Sequence, residues 1–227
     1  MIEDPFAPLT PPCSGPVLTE ADFIDGAALV IAMRAASFAA ARHAGMLGKG
    51  EPAPPYINHL IDVALLVARA SGGNDADLVA AALLHDTVEK AGVAPAEIAA
   101  LFGPEVAHLV AEVTDDPDLP PADQKQAQVD EAPHLSTRAK MLKLADKISN
   151  LTAQATEPAD RWPPERRRTH LAWARAVAEG CRGVSWMLDQ AFDEAAAAFA
   201  RGGSPEDEGS TASQTKDEPS STPRQRP

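Results

Sequence analysis

Cysteine is scarce in this chain of 227 residues, which holds only Cys13 and Cys181. Two thiols so far apart form neither a disulfide framework nor a metal-binding cysteine pattern, and they fit a reducing cytoplasm. Long apolar runs are missing as well: no stretch approaches the roughly 20 apolar residues that cross a bilayer, so no membrane contact is expected. The opening "MIEDPFAPLTPPCSG" lacks a basic start followed by an apolar segment, which argues against a secretory signal. Positive charge is in deficit, with 20 Lys and Arg against 33 Asp and Glu and a net charge of −13. Phosphate backbones are repelled by most of such a surface, so nucleic acid is not an expected partner. A small polyanion could bind only through a metal ion and a local basic cluster. Period-two alternation and internal repeats are absent too, which leaves little room for β-sheet or repeat architectures.

What is present is helix after helix. With 44% hydrophobic and 23% charged residues the chain can form one globular domain with a sizeable core. Residues 1–18 are Pro-rich and read as an arm; residues 202–227, rich in Gly, Ser, Thr, Pro and charge, cannot bury a core and are expected to be a disordered tail. Residues 19–201 form the predicted all-α domain. Thr19 caps a helix from Glu20 to about Ala44, and Asn58 precedes one that stops at Gly72. Asn74 or Asp75 caps the next, which runs on to Gly92. Pro95 and Pro104 open two short helices, Ser136 caps another, Pro163 or Pro164 begins one through Cys181, and a last covers Val184 to Arg201.

The segment "AALLHDTVEKAG" places His85, Asp86 and Glu89 in the most apolar of these helices, three and four residues apart and so on one side. His59 sits in the first turn of the preceding helix, in "PYINHL". Asp146 and Asn150 are four apart in "KLADKISN", on a helix that otherwise reads as core. An isolated His–Asp pair would be a satisfied core histidine beside a solvated carboxylate. Three helices that each offer polar groups on an apolar face are explained together by one shared metal ion. Two imidazoles and two carboxylates suit Mn²⁺, Fe²⁺ or Zn²⁺, and such an ion lowers the pKa of water and neutralises phosphate charge.

The segments "PYINHLIDVA", "AALLHDTVEKAGV", "LFGPEVAHLVAEVTDD" and "KLADKISNL", in this order, resemble the HD-domain alarmone hydrolases, from the small stand-alone enzymes to the hydrolase half of Rel-type synthetase-hydrolases. The likeness runs from about Glu20 to Arg201 and leaves no room for a synthetase half. It implies an all-α bundle of about eight to ten helices around a metal site. The implied metal ligands are His59, His85, Asp86 and Asp146, with Mn²⁺ the usual ion and another divalent transition metal as the alternative. It implies Glu89 as the acid/base or water-orienting residue, and Asn150 as the residue that holds the nucleophilic water or the ribose. The implied reaction removes pyrophosphate from the 3′ position of a purine nucleotide alarmone, (p)ppGpp or (p)ppApp.

The chain departs from that pattern at three places. The Glu of the HD segment is followed in the family by a second acid, and here by Lys90. The Arg–Lys pair usual before "PYINH" is reduced to Gly48 and Lys49, which leaves the choice between guanine and adenine open. Thr152 replaces a basic residue. Lys90 admits two readings, a partner of Asp86 or substrate phosphate and a solvated lysine at a helix C-terminus. Lys49 is a candidate phosphate contact, and Tyr56 either borders the substrate or packs before its helix. Lys125 and Arg166 match positions that approach the site in relatives, although each alone reads as an exposed helical residue. His43, His108, His134 and His170 are expected to be structural, and Lys140, Lys143 and Lys147 to lie mostly at the surface. Two other functions share these residues: an HD-type phosphatase acting on a ribose phosphate such as NADPH, and a silent nucleotide-binding regulatory domain. The sequence leaves the oligomeric state open.

Overall fold

Helices begin and end close to where the capping residues place them. The computed structural model describes residues 26–50, 52–157 and 163–202. Among them are ten α-helices: α1 Gly26–Arg42, α2 Ile57–Ala70, α3 Ala76–Leu84, α4 Thr87–Ala91, α5 Pro95–Phe102, α6 Pro104–Val113, α7 Pro121–Glu131, α8 Thr137–Ala155, α9 Pro164–Cys181 and α10 Trp186–Arg201. One 3₁₀ turn, Ala132–His134, separates α7 from α8. The side chain of Asp75 accepts from the amide of Leu78 at 3.0 Å, and that of Ser136 from Ala139 at 3.2 Å, each satisfying an amide that lacks a partner within its helix. Proline opens α5, α6, α7 and α9, where its missing N–H costs nothing. Gly92 ends α4 at φ 65°, a left-handed conformation cheap only for glycine. The described residues contain one isolated β-bridge, Leu47–Pro55, and the fold is all-α. The cap expected at Thr19, the helix start at Glu20, the arm and residues 203–227 lie outside the described residues.

Two elements correct the sequence reading. The helix expected from Asp75 to Gly92 is broken at His85–Asp86 into α3 and α4. Side chains satisfy the carbonyls at the break: Thr87 Oγ1 donates to Leu84 at 2.6 Å and His85 Nδ1 to Ala82 at 2.8 Å. Helix α7 received no bounds from the sequence, although Lys125 read as an exposed helical residue, because "PADQKQAQVDE" buries no residue and so shows no apolar period. A tertiary bond tethers it, from Trp173 Nε1 on α9 to the Lys125 carbonyl at 3.0 Å.

The chain divides into two compact units, residues 1–44 with 60–115 and residues 45–59 with 116–227. In the first, α3 packs on α1 and α6, and α5 packs on α6. Leu78, Ala80, Ala81, Ala82 and Leu84 of α3 are fully buried against residues such as Ala35, Ala39, Val106 and Leu109. In the second, α8 packs on α10 and α9, with Leu142, Leu144, Leu151, Leu188, Phe192 and Phe199 in the core. Truncating one such leucine to alanine costs about 2–5 kcal/mol. Gly180 lets α9 meet the 3₁₀ turn, since a Cβ there would lie 2.7 Å from that of Ala132. Buried Arg167 donates to the carbonyls of Phe199 at 2.9 Å and Glu157 at 3.3 Å, tying α9 to the end of α10. No helix among the described residues is long and apolar enough to cross a membrane.

Candidate functional site

In the first unit the break between α3 and α4 turns His85 and Asp86 inward, with 6% and 7% of their surface exposed. A carbonyl can only accept, so the bond from His85 to Ala82 puts the proton of a neutral imidazole on Nδ1 and leaves a lone pair on Nε2. That Nε2 lies 3.3 Å from Asp86 Oδ2. Two electron-rich atoms at this distance are stabilised by a shared cation. Lys90 supplies one positive charge, its Nζ 3.3 Å from Asp86 Oδ1, which settles its pairing with Asp86. Glu89, in the middle of α4, is exposed.

In the second unit His59 and Asp146 form a similar pair. His59 Nε2 is 3.3 Å from Asp146 Oδ1, and its Nδ1 is 2.9 Å from Ser149 Oγ. Asn150 Nδ2 donates to the same Asp146 oxygen at 2.6 Å, while Lys147 Nζ donates to Oδ2 at 3.1 Å. Lys49 Nζ in turn donates to Asn150 Oδ1 at 2.6 Å. Its loop is held by the amide of Gly48 on the Pro54 carbonyl at 2.7 Å and that of Tyr56 on Met46 at 2.9 Å. Tyr56 is buried, its ring 5.5 Å from that of His59, so it packs against this imidazole.

Each unit therefore carries an imidazole–carboxylate pair with donor atoms suited to a divalent ion. In both, the Nδ1 of the histidine is engaged by a neighbouring oxygen, which orients the ring and presents Nε2; metal-binding histidines are held in this way. The residues fit a metal.

A cavity of about 410 Å³ in the second unit is lined by Lys49, Lys125, Gln154, Arg166, Thr169 and His170. Lys125 and Arg166, which read singly as exposed helical positions, meet Lys49 here on one wall. The basic cluster that so acidic a chain needs for a polyanion is thus assembled from a loop, α7 and α9. The Trp173 ring lies beside Lys125, with the Nζ of Lys147 4.5 Å and that of Lys125 5.2 Å from the ring centre.

Two expectations are corrected by this geometry, and one residue of the cavity was not anticipated. Lys147 and Lys143 are buried, at 5% and 9% exposure, so only Lys140 of that series approaches the surface reading; their spacing placed them on one helix but could not reveal what α9 and α10 cover. His170 lines the cavity instead of serving packing alone, and only its place four residues after Arg166 hinted at this. Gln154, 3% exposed, was missed altogether, because an amide after "KISNL" carries no sequence signal. His43 is structural as expected, buried and bonded to the Ala39 carbonyl, while His108 and His134 are exposed.

Residues 35–176 match the family model of the HD domain. The guanosine-3′,5′-bis(diphosphate) 3′-pyrophosphohydrolase MESH1 of Xenopus tropicalis is 40% identical over 167 residues, 74% of this chain and 92% of that protein. The human protein of the same name is 40% identical over 160 residues, 70% of this chain and 89% of its own length. A solved structure described as a metazoan ortholog of SpoT that hydrolyzes ppGpp and plays a role in starvation responses matches with a TM-score of 0.68 at 37% identity. It covers 73% of this chain and 93% of that one.

Proposed function

Because the chain belongs to the HD domain family, we propose that it is a metal-dependent hydrolase of purine nucleotide alarmones, (p)ppGpp or (p)ppApp. It releases pyrophosphate from the 3′ position and leaves the nucleoside 5′-di- or triphosphate. The observation that carries this reading is the cationic cavity of Lys49, Lys125 and Arg166 within the same unit as the His59–Asp146 pair. A metal suits the imidazole–carboxylate pairs, and a polyphosphate suits the cavity.

The proposed ligands are His59, His85, Asp86 and Asp146, and the proposed ion is Mn²⁺. The ion, when bound, supplies Lewis acidity and charge neutralisation at the scissile phosphate. The protein's own side chains do the rest. Glu89 takes the proton of the attacking water as general base, or orients that water. Asn150, already bonded to Asp146 and Lys49, fixes the water or the ribose. Lys49, Lys125 and Arg166 hold phosphate oxygens, Tyr56 keeps His59 in place, and Lys90 tempers the charge of Asp86. The proposed compartment is the cytoplasm, in keeping with a Cys181 thiol that burial pushes up to about 11 and so keeps unreactive.

The test is turnover by purified protein with Mn²⁺ and a panel of guanosine alarmones, adenosine alarmones and NADPH. Pyrophosphate release from an alarmone is expected. Turnover of NADPH alone, with release of inorganic phosphate, would replace the alarmone by another ribose phosphate, and no turnover of any kind would leave a binding domain.

A further inference from the structure

His170 is out of character with its surroundings. It stands on α9 in a cavity wall built from cations, its ring 5.3 Å from that of Trp173 and 5.7 Å from that of Phe199 on α10. Charged groups face it from several elements: Lys49 on the loop before α2, Lys125 on α7, Lys147 on α8, and Arg166 one turn earlier on α9. From α10 it meets the Phe199 ring, which the Arg167 guanidinium also approaches, 4.5 Å from the ring centre. Two acids of the same unit are engaged by other groups: Asp146 accepts from Lys147, and the carboxylate of Glu157 accepts from the Gly50 amide. Burial, followed by those four cations, lowers the imidazole from its ordinary value near 6.5 to about 4.

The same cavity lining holds a buried amide. Gln154 is 3% exposed, and its Oε1 accepts no hydrogen bond among the described residues. A buried amide oxygen in this state costs on the order of 1–3 kcal/mol unless something donates to it. The cavity thus combines three cations with an imidazole that burial, and after it those cations, hold neutral, while the Gln154 oxygen can accept from a cation of the lining.

We propose that His170 is a proton-linked anion contact: it is neutral in the protein alone and takes up one proton from solvent when a polyphosphate enters the cavity. The role rests on the alarmone reading only for the identity of that anion. An entering polyphosphate brings at least two negative charges among Lys49, Lys125 and Arg166, offsets the repulsion from those cations and gives the buried imidazolium an anionic partner. The ring then donates a charged hydrogen bond to a phosphate oxygen, which is stronger than a neutral one. No covalent bond changes; a proton moves from buffer to a ring nitrogen. The complex binds more protons than the separate partners between the two imidazole values, so affinity rises as pH falls through the value in the complex and levels off below the value in the protein alone. If the anion restores the ordinary value near 6.5, the histidine makes binding about tenfold tighter at about pH 5.5 than at about pH 8.

Isothermal titration of the full chain with inorganic pyrophosphate, at about pH 5.5 in two buffers of different ionisation enthalpy, counts the protons taken up. Wild type should take up nearly one proton more than His170→Gln, and its affinity should gain about tenfold over that variant between about pH 8 and pH 5.5. His170→Asn serves as a second variant should the first fold poorly. Equal proton uptake by wild type and variants that still bind overturns the proposal, as does failure of the wild type to bind pyrophosphate. Proton uptake that depends on His170, in a protein that turns over no alarmone, leaves this linkage standing and removes the substrate assignment instead.

Discussion

Asp86 in the first unit and Asp146 in the second each meet a histidine nitrogen at 3.3 Å and a lysine, at 3.3 and 3.1 Å. Their lysines differ. The Lys90 side chain is 38% exposed and extends from α4, a helix of five residues, where it can exchange Asp86 for water. The Lys147 side chain is 6% exposed, lies over the Trp173 ring, and belongs to a helix of 19 residues at the centre of its unit. An exposed lysine tempers a carboxylate at little cost and can be replaced in evolution; a buried one is tied to the packing and must keep its partner. The exposed Lys90 pair is the adjustable one.

Breaking the second pair should have the largest effect. Asp146→Ala removes a proposed ligand and strands a buried lysine. Metal analysis should find about one ion per chain in wild type and none in the variant, and denaturant titration should show a loss of about 3–5 kcal/mol. Unchanged metal content would sink the ligand set. Glu89→Gln comes next: turnover should fall by roughly 10²-fold while metal content stays the same. A variant at full speed would exclude Glu89 as the base.

The lysines themselves test the comparison most directly. Lys147→Met should cost about 1.5–3 kcal/mol, because a charged hydrogen bond is lost in a buried setting, whereas Lys90→Met should cost less than about 1 kcal/mol. Equal losses by urea titration would show that exposure does not separate the two pairs. The smallest change should come from Lys90→Asp, which restores the family's usual acid. If Lys90 also touches substrate, the ratio of rates on guanosine and adenosine alarmones shifts; a flat profile confines the lysine to Asp86.

The helices were legible because their signals are local. A cap such as Ser136, a proline at a first turn or a glycine at an end acts within one turn of its own position, and the apolar period of α8 needs no neighbour to be read. Helix α7 failed that reading because none of its residues is buried, so pattern and burial had nothing to report. The break at His85 failed for another reason. Residue types alone favour a continuous helix there, and the turn exists because Thr87 and His85 take up the carbonyls that the helix would have used.

The sequence by itself determined the all-α class, the spacing of the His and Asp residues along their helices, and the likeness to HD-domain alarmone hydrolases. All of these rest on order and period along the chain. Tertiary structure alone decided which cations share a wall. Lys49, Arg166 and His170 stand more than a hundred residues apart at the extremes, and only the packing of α7, α8 and α9 brings them around one cavity. It also decided that Lys147 is buried and Lys90 exposed, and that an unremarkable glutamine and histidine face the same space as the lysines. Charge and burial act through space, so they are settled only when the chain has folded.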